Sequence, residues 1–343
     1  MTVVGRTGGH AEYVEAVLRE LHLERQLLAP QLETIYLGGG TPTFTDPDAL
    51  ERLLEALPDA REVTVEANPE TATPELAALL SRNRVNRVSL GAQSFNTSLL
   101  DVLERRARPE DVRRAFYVLR DAGFDNLNLD LIYGIPGQGA ADLDRDLAEA
   151  LSLAPEHLSC YELEAKPGTR FTHAHGDELA RQAEAMETYF ERVVETLTGV
   201  GYRWYETANF CREESRDLRS RHNLATWEGR DYLGLGVGAV STVGLRRWRN
   251  RPSLPQYVEA LSHAARPPRE LEPLEPATRR AERVLLGLRL DEPLVVGDLA
   301  SAIDAAAVER LVRLGLVERA GETLRLSERG RFLGGAVTAE LLV

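Results

Sequence analysis

The residues best able to do chemistry stand where short apolar runs end. The segment GGGTPTF, Gly38 to Phe44, follows the run TIYL. Successive glycines have no Cβ, so their backbone N–H and C=O groups can come close to a ligand, and Thr41 and Pro42 then set the turn. The loop lacks the GxGxxG spacing of a dinucleotide fold and the lysine of a phosphate loop, which argues against a nucleotide phosphate. An uncharged or cationic group fits better, because Glu66, Asp130 and Glu164 end other runs of the same kind. Only Cys160 and Cys211 are present. Two cysteines exclude a disulfide framework and are too few for an ordinary four-thiolate iron–sulfur cluster.

The elements that must position these residues are legible from period. Five short β-rich runs, TIYLGGG from Thr34, EVTVEAN from Glu62, RVSLGAQ from Arg87, NLNLDLIYG from Asn126 and HLSCYELE from His157, alternate with longer helical patterns. This predicts repeated βα units, a parallel sheet and an α/β fold. Each run ends in polar or Gly residues: Gly38 to Thr41, Glu66 and Asn68, Gln93, and Asp130. In parallel α/β sheets and barrels that rim is where ligands sit. The same residues could instead be helix caps and turn formers, but their recurrence at successive strand ends favours a common site.

A chain of 343 residues suits one large α/β domain with a small appendage. Residues 1–250 read as the large domain and its extension, including a long helix from about Glu178 to Val200 and the Gly-rich YLGLGVGAVSTVG. The proline-rich segment 251–276 reads as a linker with one short helix. Residues 277–343 read as helices followed by LVERAGETLRLS, a hairpin turning at Gly321, which suggests a winged-helix-like domain. Its arginines and acidic residues are equal in number, unlike a typical DNA reader. A net charge of −13 and the lack of a basic patch argue against nucleic acid. No apolar run is long enough for a membrane span, and MTVVGRTGGHAEY lacks the pattern of a signal peptide. The expected location is cytoplasmic.

The series YLGGGTPT, VEANP, SLGAQSFN, DLIYGIPGQ and SRHNLATW, in this order, resembles the radical S-adenosylmethionine (SAM) family that contains the oxygen-independent coproporphyrinogen oxidases and the haem chaperones. The resemblance covers nearly the whole chain. It implies a partial (β/α) barrel with a small C-terminal domain. It also implies SAM-binding roles for Gly39, Gly40, Thr41, Glu66, Gln93, Arg105 and Asp130. For Arg105 a surface ion pair with Glu104 or Asp101 is the competing reading. The family's radical chemistry requires a Cys-x-x-x-Cys-x-x-Cys loop after the first strand, holding a [4Fe–4S] cluster. That loop and its strand are absent from this sequence, so no ligand for the cluster is expected among its residues. Without that strand TIYLGGG would present an open edge, an invitation to a second copy of the chain and hence to a homodimer.

SRHNLATW, Ser220 to Trp227, carries the second constellation. In the haem-chaperone branch a motif of this kind is linked with haem, so the resemblance implies His222 as an axial ligand, with Asn223 and Trp227 beside the porphyrin. Structural hydrogen bonds made by His222 and Asn223 are the alternative, and a thiolate from Cys211 is a further candidate ligand. The function expected on this resemblance is binding of haem and its delivery to acceptor proteins such as respiratory enzymes, without catalytic turnover. The alternatives are a coproporphyrinogen III oxidase or an inactive, N-terminally truncated product.

Overall fold

A computed structural model describes residues 9–343. Helix α1 (His10–Glu24) leads to β1 (Leu32–Leu37), α2 (Pro47–Ala56), β2 (Ala60–Ala67), α3 (Pro74–Arg82) and β3 (Arg87–Gln93). Then come α4 (Thr97–Val102), α5 (Pro109–Asp121), β4 (Leu127–Tyr133), α6 (Ala140–Ser152), β5 (His157–Glu162) and α7 (Arg170–Gly199). Strands β6 (Tyr202–Trp204) and β7 (Asn209–Arg212) precede α8 (Arg221–Trp227), β8 (Val240–Val243), β9 (Arg246–Asn250), α9 (Leu254–Ser262) and β10 (Arg269–Pro273). The chain ends with α10 (Pro276–Gly287), β11 (Leu294–Val295), α11 (Ala305–Arg313), β12 (Val317–Ala320), β13 (Thr323–Leu326), α12 (Glu328–Phe332) and α13 (Gly334–Glu340).

The chain divides into two units, one holding the residues up to Glu62 together with Arg221–Val343, the other Val63–Ser220. In the second unit the strands take the order β2-β3-β4-β5-β7-β6. The first four are parallel, and β7 and β6 complete an open sheet by antiparallel pairing. Each connecting helix starts on local chemistry. Thr73 accepts a bond from Leu76 N–H at 3.2 Å ahead of Pro74, and Asn96 accepts from Ser98 N–H at 2.9 Å. Asp111 and Asp142 accept from the N–H groups of Arg108 and Gly139 at 2.9 and 3.0 Å. These side chains satisfy N–H groups that a helix leaves open. They are not the polar residues at the strand ends.

In the first unit β1 neighbours β2, whose first residues belong here, and it stands at the end of the strand order. The segment 251–276 is more than a linker. It contains α9, whose Tyr257 and Leu261 pack with Ala16 and Val17 of α1, and β10, which pairs with β9. Prolines at the start of α9 and at the end of β10 sit where no backbone N–H is needed, so proline content alone did not mark a loop. Glu20 of α1, fully buried, accepts bonds from Tyr257 Oη at 2.6 Å, Asn250 Nδ2 at 2.7 Å and Gly236 N–H at 2.9 Å. Residues 277–343 build a core of their own around Val284, Leu299, Leu311, Leu324 and Leu341, with the β12–β13 hairpin turning at Gly321, whose φ is +58°.

Asp146 of α6 holds the loop after β3, accepting from Phe95 N–H at 2.6 Å and Ser94 Oγ at 2.8 Å. Burial pushes its carboxyl up to about 6, although both hydrogen bonds pull the other way. An acid whose folded pKa lies above its unfolded one favours folding while protonated, so this contribution is lost as the pH rises from about 4 toward 6. The loss is on the order of 3 kcal/mol. Asp146→Asn keeps an acceptor for Phe95 N–H and no longer titrates. Its thermal midpoint should therefore improve relative to the unchanged protein between pH 4 and pH 7, and a pH-independent difference would count against this account.

Candidate functional site

Alternation along parallel strands gives the sheet of the second unit two unlike faces. Register pairs Glu66 with Ser89, Ser89 with Asn128 and Asn128 with His157. The next row pairs Gly91 with Asp130 and Asp130 with Ser159. Paired residues of neighbouring strands share a face, so these rows line one polar surface. The rows between them are Val65–Val88–Leu127 and Ala67–Leu90–Leu129–Leu158, all buried. The apolar face carries the packing and frees the polar face for a site.

At the C-terminal ends of these strands three side chains converge over Gly91. A Cβ on Gly91 would lie 2.6 Å from Gln93 Nε2, 2.9 Å from Arg105 Nη2 and 3.6 Å from Asn68 Oδ1. Gln93 gets there through a register shift between Gly91 and Gln93 and a left-handed backbone, φ +66°. Left-handed φ is costly for a residue with a side chain and clusters at functional sites. Glu104, φ +54°, makes the corresponding turn just before Arg105. Burial holds the Arg105 guanidinium below its ordinary value, while Glu70 and Asp130 draw it back up. The surface ion pairs weighed for Arg105 go to other residues: Glu104 pairs with Arg170 and Asp101 with Arg108.

Asp130, partly buried, is supported from beneath. Asn128 Nδ2 donates to its Oδ1 at 2.7 Å, and Ser89 Oγ lies 3.2 Å from Oδ2. Burial raises the Asp130 carboxyl, and the bonds from Asn128, Ser159 and Ser89 with the charge of Arg87 oppose that rise. Sequence reasoning missed Ser89, Asn128, His157 and Ser159. The signal was there, since RVSLGAQ, NLNLDL and HLSCY alternate polar with apolar at period two.

Gly39, Gly40 and Thr41 belong to the first unit. The two glycines are exposed, with open space where each Cβ would be, and Gly39 has φ +83°. Thr41 C=O accepts from Phe44 N–H at 3.0 Å, closing the turn.

His222, Asn223 and Trp227, also of the first unit, lie half-buried on α8. The buried carboxylate of Glu62 accepts from the N–H groups of Arg221 and His222, both at 3.0 Å, and so caps this helix. The His222 ring stacks on Tyr36, centroids 4.3 Å apart and planes 16° from parallel. Glu62 and Tyr36 were not foreseen, because they lie far from SRHNLATW in sequence.

Both cysteines are buried, Cys160 on the apolar face of β5 with its thiol pushed far up by burial. Cys211 is enclosed on β7 and falls in the other unit from His222. Among the described residues no group of three or more His, Cys, Asp or Glu could hold a metal ion. The described residues do not fit a [4Fe–4S] cluster.

Two family models match the chain: the radical SAM superfamily over residues 6–150 and the HemN C-terminal domain over residues 274–333. The heme chaperone HemW of Mycobacterium tuberculosis (strain ATCC 25618 / H37Rv) is 35% identical over 337 residues, covering 95% of this chain and 85% of the relative. The heme chaperone HemW of Bacillus subtilis (strain 168) is 30% identical over 349 residues, covering 96% and 91%. The chain belongs to the HemW family of radical SAM proteins. The chain also shares its fold with a solved structure, the coproporphyrinogen III oxidase HemN of Escherichia coli, at a TM-score of 0.81 and 22% identity, covering 99% of this chain and 85% of the other. Among the described residues no helix is long and apolar enough to cross a membrane.

Gly91→Ala tests the convergence in this HemW-family sheet. Only the far ends of two flexible side chains would have to move, so the folded state should lose about 1 kcal/mol and the thermal midpoint no more than about 4 °C. Arg105 and Gln93 should nevertheless leave their positions, seen as a shifted Arg105 guanidinium resonance. An unshifted resonance would show that they do not meet above Gly91.

Proposed function

We propose that the protein is a haem chaperone that binds haem and passes it to acceptor proteins such as respiratory enzymes. The observation that carries this reading is the 30–35% identity to heme chaperones HemW along 95–96% of the chain. The oxidase alternative is supported by likeness of fold to HemN and by the match of residues 274–333 to the HemN C-terminal domain. Glu66, Gln93, Arg105 and Asp130 would bind SAM. An acidic and a basic side chain side by side suit a zwitterion, which carries an ammonium and a carboxylate of its own. Gly39, Gly40 and Thr41 enter this reading through the motif, the two glycines also through the open space around them.

For haem, the reading assigns His222 as axial ligand, with Asn223 and Trp227 as neighbouring contacts. A neutral imidazole is a standard ligand of haem iron. The cap from Glu62 and the stack on Tyr36 restrict the His222 backbone and ring, so less freedom remains to be lost when the ligand binds. These residues bind and orient; they transform nothing.

The test is titration of the full chain with haem, followed in the Soret region. His222→Ala should shift the band and weaken binding about tenfold, leaving residual apolar binding. His173→Ala and His263→Ala should change neither. An unchanged band and affinity in His222→Ala would remove the ligand assignment.

A further inference from the structure

Behind Asp130 runs a chain of buried hydrogen bonds whose direction is set by chemistry. An amide nitrogen only donates, and Asn128 Nδ2 donates to Asp130 Oδ1 at 2.7 Å. That orients the Asn128 amide, and its Oδ1 then accepts from His157 Nδ1 at 2.6 Å and Ser159 Oγ at 3.1 Å. Burial keeps the His157 imidazole well below its ordinary pKa and therefore neutral. With its proton on Nδ1, its Nε2 must accept, and Tyr205 Oη donates to it at 2.8 Å. Tyr205 in turn accepts from Ser220 N–H at 3.4 Å. Ser89 Oγ takes the second Asn128 Nδ2 hydrogen at 2.6 Å and itself points at Asp130.

His157 and Tyr205 are 0% exposed, Asn128 1%, Ser159 2% and Ser89 5%. Asp130 is the only partly exposed member, and it lies in the row of Gly91, over which Gln93 and Arg105 meet. Every donor in the chain points toward that one carboxylate. A polar network buried this deeply offers little net stability over apolar packing, as the all-apolar opposite face of the same strands illustrates. Its one-way order instead fixes the charge state and orientation of its end group.

We propose that Asn128, His157 and Tyr205 are positioning residues that hold Asp130 ionised and aimed at a bound ligand with hydrogen-bond donors. That ligand is SAM, an identification that rests on the reading given under Proposed function. The relay acts through Asp130 and touches no ligand itself.

Two measurements on the full chain test the proposal. The first needs no ligand: the Asp130 carboxyl is titrated by carbon NMR. Asn128→Leu and His157→Leu should raise its midpoint, whereas His157→Asn, whose amide can replace the Nδ1 donor, should leave it near the original. If Asn128→Leu does not fold, Ser89→Ala removes one donor at little change in volume and should still raise the midpoint. An unmoved midpoint in the folded variants overturns the proposal.

The second is calorimetric titration with SAM. His157→Leu should weaken binding about tenfold, His157→Asn should restore most of it, and His157→Leu should add nothing in an Asp130→Asn background. Equal weakening in both backgrounds would mean that His157 serves only the packing of the sheet, and would overturn the proposal. Absence of SAM binding by the unchanged protein, alongside the expected NMR shifts, would refute SAM as the ligand while leaving the relay supported.

Discussion

A carboxylate drawn out of water must be met by donors, and in the second unit this requirement falls on Asp130. Its bonds from Asn128 and Ser89 exist because three parallel strands hold their residues in register, Ser89 beside Asn128 and Asn128 beside His157. Slipping one strand by a single residue would put Val88, Leu90 or Leu129 where a donor now stands. The apolar face of Val65, Val88, Leu129 and Leu158 thus does more than stabilise the sheet. By fixing register it fixes the polar face as well.

The polar rim is shaped by departures from regular geometry at its ends. Glycine at position 91 leaves room for two side chains that a Cβ would displace, and left-handed Gln93 and Glu104 turn the chain so that Gln93 and Arg105 occupy that room. Strain of this kind, on the order of 1–3 kcal/mol for each such residue, persists only where the surrounding packing is strong enough to hold it. Here the surroundings are the buried strand β3 and the loop after it, anchored by Asp146.

In the first unit, capping plays the part that register plays in the second. The seven-residue helix α8 is too short to be stable alone. The carboxylate of Glu62 satisfies two of its first N–H groups, and Tyr36 covers the ring of His222. If His222 binds haem as proposed, being held in this way leaves it less freedom to lose than a histidine on a free helix end would have. The hydrogen bonds weighed against the ligand role are partly present, and the one from His222 to Glu62 uses the backbone N–H, so that bond does not compete for the ring.

The sequence alone determined the order of βα units, the glycine loop, the hairpin near Gly321 and the family motifs, because these are local: period, turn residues and short spacings carry them. The polar alternation of β3, β4 and β5 was equally open to reading, although not its meaning. Tertiary structure decided which polar residues meet. Ser89 and Asp130 are 41 positions apart, His157 and Asn128 are 29 apart, and Glu62 and His222 are 160 apart. Such pairs depend on how strands register and helices dock, a collective outcome of apolar packing over the whole core that no local pattern contains. For the same reason the prolines of 251–276 suggested a linker, while α9 and β10 are held in place by partners on α1 and β9.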